Sequence, residues 1–209
     1  MKRKIIDRLI EWKHSDERKP LVLQGARQIG KTYSVNEFAA KEYKNSIYCN
    51  FEKEKSLSSL FNNLSPDDII GNLSVLKRQK VIPGETLIIF DEVQACPEAL
   101  TSLKYFCEEA NGFHIIATGS LLGVSVNREE NSFPVGKVQI MDMFPMDFEE
   151  YLWAKEENLL AEKIRNCYKD FSPLEEALHE KALALYREYL FIGGLPAVVS
   201  EFVKTGNCF

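Results

Sequence analysis

Eight consecutive residues, Gly25-Ala26-Arg27-Gln28-Ile29-Gly30-Lys31-Thr32, fit the spacing G-x-x-x-x-G-K-[ST]. Residues of these types in this order suit one task, which is to wrap the phosphates of a nucleotide such as ATP or ADP. Glycine lets backbone N–H groups converge on anionic oxygens, and a helix beginning at the end of the loop adds its positive pole. Lys31 then reaches the β- and γ-phosphates, and the Thr32 hydroxyl takes a place on Mg²⁺. A second pair, Asp91-Glu92, directly follows the apolar run Leu87-Ile88-Ile89-Phe90. Beside a phosphate loop, an aspartate there helps hold Mg²⁺, and an adjacent carboxylate can deprotonate an attacking water. Asp91 is therefore the second candidate metal residue, and Glu92 the candidate base.

Thr118 and Ser120 end a later apolar run. A hydroxyl at that place can sense the γ-phosphate, which makes Thr118 a third catalytic candidate after Glu92 and Lys31. The same pattern serves a strand-ending turn around Gly119 equally well. Positive charge for the transition state has three sources in reach of the motifs: Arg27, Arg128 and Lys137. An arginine delivered by a neighbouring subunit is a further route, and the residue pattern does not select among them.

The elements needed to position these groups are legible around them. Leu21-Val22-Leu23 suits a short buried strand before the loop, and Ser34 to Glu42 can carry a helix after it. Apolar residues at helical spacing predict an amphipathic helix over about 3–14. Ser46 to Phe51 and Thr86 to Phe90 read as strands, as does Phe113 to Ser120, which ends in small polar residues, with His114 a core or strand-edge residue. Ser65-Pro66-Asp67-Asp68 marks a helix start, with Ser65 as its cap. Pro97 to Ala110 carries a helical pattern, and Pro83-Gly84 a turn. Strands alternating with helices imply parallel βαβ units. The expected fold is α/β: a three-layer P-loop NTPase with a central parallel sheet, followed by a helical segment. After Phe144-Pro145 the composition turns helical and rich in Glu and Lys, with a break at Ser172-Pro173, so the domain boundary is expected near residue 145.

The chain has 209 residues, with a formal net charge of −5 from 31 acidic and 26 basic residues. That balance argues against broad electrostatic binding of nucleic acid. No apolar run reaches the length of a membrane span, and the basic start breaks into charge before a signal-peptide core forms. A cytoplasmic location without a membrane partner is the expectation. Five scattered cysteines without a C-x-x-C pair read as reduced thiols, and three separated histidines form no metal-ligand pattern.

Six segments in order carry a resemblance: Gly25 to Thr32, Phe90-Asp91-Glu92-Val93-Gln94, Thr118-Gly119-Ser120, Phe133-Pro134-Val135-Gly136-Lys137, Phe144 to Leu152, and Gly193-Gly194-Leu195-Pro196. Together they resemble the AAA-type ATPases of bacteria and archaea that carry a C-terminal domain of unknown function. The resemblance spans about residues 20 to 196. It implies an ATP-binding domain over 1–145, whose acidic strand-end pair matches Asp91 and Glu92. It also implies that 146–209 is a helical segment, readable as the start of a truncated C-terminal domain, since such relatives are commonly about twice as long. Lys137 stands where some relatives carry arginine.

These readings converge on Mg²⁺-dependent ATP binding, with hydrolysis slow in isolation. The alternative is a nucleotide-gated interaction module, in which turnover is incidental. A P-loop kinase is disfavoured, because the Asp91-Glu92 pair suits attack by water, which a kinase must exclude. Weak self-association through uncovered apolar helix faces is expected, and no protein or nucleic-acid partner is identifiable.

Overall fold

The computed structural model describes residues 1–120 and 134–206. Its described strands are β1 (Leu21–Gln24), β2 (Asn45–Asn50), β3 (Thr86–Asp91), β4 (His114–Gly119) and β5 (Gln139–Asp142). They form one sheet in the order β2-β3-β4-β1-β5, and every pairing is parallel. Parallel neighbours need crossover connections that lay helices on the sheet. α1 (Ile5–His14) precedes β1, and α2 (Lys31–Glu42) joins β1 to β2. A 3₁₀ turn (Lys55–Phe61) and α3 (Pro66–Leu76) lie between β2 and β3, and α4 (Pro97–Glu109) between β3 and β4.

Every residue of β3 and β4 is buried. Their near-continuous apolar sequences are what a strand covered on both faces requires. On one face Val22, Ile88, Phe90 and Ala117 pack with Leu103 and Phe106 of α4. Phe51, Phe61 and Phe90 meet there edge to face, with centroids 5.3 to 5.7 Å apart. Trp12 of α1 and Phe38 of α2 are also buried, their ring centroids 6.5 Å apart.

Local signals mostly predict the elements. Ser65 caps α3, its side chain accepting from the Asp68 amide at 3.4 Å, with Pro66 in the first turn. α2 starts at Lys31, inside the motif and earlier than its apolar pattern suggested. Strand β5 was not anticipated. It is a four-residue edge strand of mixed exposure, without the apolar run that marked the others.

The chain forms two compact units. One comprises Ile5–Arg27 and Lys31–Met143 and contains the sheet. The other comprises Met1–Lys4, Gln28–Gly30 and the chain from Phe144 onward. Its described helices are α5 (Phe148–Ala154), α6 (Asn158–Lys169), α7 (Glu176–Ile192) and α8 (Pro196–Thr205). The gap between α6 and α7 contains the expected break at Ser172-Pro173, and α8 falls within the segment expected to be helical. Leu152, Leu160, Ala161 and Ala182 form one small core, and Met146, Tyr151 and Val199 another. A reciprocal cap starts α5: Asp147 accepts from the Glu150 amide and Glu150 from the Asp147 amide. Among the described residues, no helix is long and apolar enough to cross a membrane.

Candidate functional site

Parallel sheets gather ligand-facing groups at the carboxyl ends of their strands. Here β1 ends at Gln24 and runs into the loop Gly25 to Thr32. Three loop residues have left-handed backbone: Gly25 (φ 154°), Gln28 (φ 65°) and Gly30 (φ 90°). Glycine takes this conformation without cost, while Gln28 adopts it as a non-glycine residue. The loop ends on Lys31, the first residue of α2. The Lys31 ammonium donates to the carbonyls of Gly25 at 2.8 Å and Ala26 at 2.7 Å, so it bridges the loop's mouth. Burial lowers its pKa, against the opposing pull of Glu92 and Asp91.

Asp91 ends β3 and is 4% exposed. The Thr32 hydroxyl lies 3.3 Å from each of its carboxylate oxygens. The Tyr48 and Thr118 hydroxyls also donate to it, as does Asn50 Nδ2 at 3.3 Å. The Glu92 amide donates at 3.1 Å. A buried carboxylate needs such compensation, because water no longer solvates it. The register supplies the donors: Asn50 pairs with Asp91, and Ala117 with Phe90, so Thr118 comes next to Asp91. Burial pushes the Tyr48 hydroxyl up to about 12, and the neighbouring Asp91 charge acts in the same direction.

Glu92 sits in the left-handed region at φ 53°. Such backbone in a non-glycine residue costs on the order of 1–3 kcal/mol and clusters at functional sites. Its carboxylate accepts from Gln94 Nε2 at 2.5 Å, while Gln94 Oε1 is buried without a partner among the described residues.

Lys31, Thr32, Asp91 and Thr118 are thus drawn together, with Glu92 following Asp91 in the chain. Thr118 is 1% exposed, and its hydroxyl is engaged by Asp91. Arg27 is exposed. Lys137 pairs with Glu108 at 2.8 Å, and it precedes β5 at the amino end of the sheet, so it does not reach the loop. Arg128 and Phe133 lie outside the described residues. Tyr48, Asn50 and Gln94 were not singled out from sequence. The usable signal was a polar residue closing a strand, as Asn50 closes β2.

A hydroxyl beside a carboxylate is the protein's usual share of a Mg²⁺ shell, in which phosphate and water provide the remaining oxygens. Thr32 and Asp91 fit that share. Among the described residues no cluster of three His, Cys, Asp or Glu side chains could hold a metal on its own.

The family described as "AAA domain" matches residues 17–152. No curated protein matches the sequence. Among solved structures, Drosophila ORC bound to DNA is similar at 14% identity and a TM-score of 0.50, over 96% of this chain and 59% of that one. The Aeropyrum pernix ORC1 protein in complex with DNA is similar at 13% identity and a TM-score of 0.42, over 97% and 63%. Cdc6p from Pyrobaculum aerophilum gives 16% and 0.43, over 76% and 48%. The chain therefore spans less than two thirds of the length of these structures. At such identities the likeness to Drosophila ORC concerns fold alone.

Proposed function

We propose that this chain, which belongs to the AAA-domain family, binds ATP with Mg²⁺ at Gly25 to Thr32 and hydrolyses it slowly. The observation that carries the reading is the Thr32 hydroxyl 3.3 Å from both Asp91 oxygens at the foot of the phosphate loop. Loop amides and the start of α2 receive the phosphates. Lys31 exchanges the Gly25 and Ala26 carbonyls for phosphate oxygens, a stronger charge-assisted contact. Thr32 and Asp91 would hold Mg²⁺, which when bound neutralises charge developing on the phosphate oxygens. Thr118, Tyr48 and Asn50 fix the Asp91 carboxylate. Glu92 deprotonates the attacking water, and it must first release Gln94, which supports slow basal turnover.

The test is titration of labelled ATP with Mg²⁺ against the parent and Lys31→Ala. Loss of a charged hydrogen bond should weaken binding about 10- to 100-fold. Equal affinity would remove the assignment. Phosphate release with and without added nucleic acid then asks whether either chemistry stimulates turnover.

A nucleotide-gated interaction module is the second reading. It is favoured by exposed apolar side chains on α7 and α8 and in the turn between them, among them Leu190, Phe191, Leu195, Val198 and Val203. In that reading ATP alters contacts of the helical segment, including weak self-association, and hydrolysis resets them.

A further inference from the structure

We propose that Arg3 is a positioning residue for the nucleotide, its buried guanidinium clamping the apex of the phosphate loop to the start of the helical segment. This rests on the reading of Gly25 to Thr32 as the nucleotide loop. Arg3 lies far from that motif in sequence and has no place in its consensus. Its Nη1 donates to the Ile29 carbonyl at 2.8 Å and its Nη2 to the Phe144 carbonyl at 2.7 Å. Its Nε stands 3.1 Å from Glu150 Oε1, and both side chains are 6% exposed.

Glu150 is itself fixed. It accepts from the Lys4 amide at 2.7 Å and from the Asp147 amide at 3.2 Å, within the cap that starts α5. One planar fork thus joins three chain segments that all belong to the same compact unit. A guanidinium can bond two carbonyls and face a carboxylate at once, because its donors diverge within one rigid plane. The carbonyl it holds belongs to Ile29, between left-handed Gln28 and left-handed Gly30. Fixing that carbonyl restricts rotation of the Ile29–Gly30 peptide, whose N–H must point at phosphate. A loop held in this form pays less ordering entropy when ligand arrives. In turn, any shift of the apex on phosphate binding acts directly on Phe144 and the cap of α5.

Arg3→Lys is the sharper variant, because it keeps a cation for Glu150 but cannot reach both carbonyls in the same plane. Arg3→Met removes the charge as well. Two readouts are needed. In nucleotide-free protein, trypsin nicking after exposed Arg27 reports opening of the loop, and nicking after exposed Lys104 in α4 reports general unfolding. Arg3→Lys should raise the Arg27 rate about tenfold, the effect of losing roughly one charged hydrogen bond, with the Lys104 rate unchanged. ATP affinity should fall by a similar factor, and further in Arg3→Met. Parent-like nicking after Arg27 in both variants overturns the clamp, whatever ATP does. Unchanged ATP affinity in both overturns its role in positioning nucleotide. Should the parent and Lys31→Ala bind ATP equally, the nucleotide assignment itself fails, and Arg27 nicking still judges the clamp.

Discussion

Asp91 draws on three hydroxyls, an amide side chain and a backbone N–H, so its substitution has two separable effects. Asp91→Asn replaces one acceptor oxygen by a donor facing Asn50 and the three hydroxyls. The folded state should lose about 1–3 kcal/mol from unsatisfied buried groups, read by urea denaturation. ATP binding should at the same time become much less sensitive to added Mg²⁺. Glu92→Gln is milder for the fold, because an amide oxygen can still accept from Gln94. It should bind ATP like the parent while turnover falls about 10²–10⁴-fold, the usual share of a general base. Turnover at the parent rate would exclude the water-priming role. At this scale the loop and the acidic pair were readable, the loop from its spacing and the pair from its place directly after an apolar run. Tyr48, Asn50 and Gln94 were not. Their roles depend on which strand lies beside β3 and on the left-handed turn at Glu92, neither of which a local pattern encodes.

Elements are held by contacts whose loss can be measured one at a time. His114 opens β4, its Nδ1 hydrogen-bonded to the Tyr43 hydroxyl at 2.7 Å, with the Trp12 ring edge-on at 6.0 Å. Burial, aided by nearby Arg18 and Lys13, lowers its pKa from 6.5 to about 4. Between these values the unfolded chain binds a proton that the folded chain refuses. The His114 contribution is therefore complete above the unfolded pKa and is lost as pH falls from there toward about 4. Its slope can reach about 1.4 kcal/mol per pH unit. Denaturation midpoints at about pH 7 and about pH 5 should converge in His114→Gln relative to the parent. Gly194 offers a purely steric case. It receives the Met146 amide at 2.7 Å, and an added Cβ would collide with the Met146 carbonyl oxygen. Gly194→Ala should destabilise the helical unit by about 1–3 kcal/mol, seen as a lower melting temperature. Sequence predicted most elements wherever an apolar run or a cap marked them. β5 escaped because an edge strand of four residues of mixed exposure carries too little pattern.

Across the whole molecule, the sheet order and the two compact units fix what a nucleotide could influence. Adding ATP to Glu92→Gln should change the proteolysis of residues 148–189 if the helical segment senses the loop. An identical digest with and without ATP, alongside brisk hydrolysis by the monomeric parent, would favour a self-sufficient ATPase. Exposed Phe191 and Leu190 should give weak, concentration-dependent association in sedimentation velocity, diminished in Phe191→Ser. The alternation of strands and helices made a parallel sheet legible, but the order of its strands was not, since β1 pairs with nothing close to it in sequence. Its neighbours are β4 and β5, which come long after it. That order imposes a timetable on the ribosome. At about 5–20 residues per second, β1 waits several seconds for its first hydrogen-bonded partner. A nascent chain stalled before His114 has emerged should be unable to retain ATP and should be open to proteases at the Gly25 to Thr32 loop. Once Asp142 is clear of the exit tunnel, the same stretch should become nucleotide-competent.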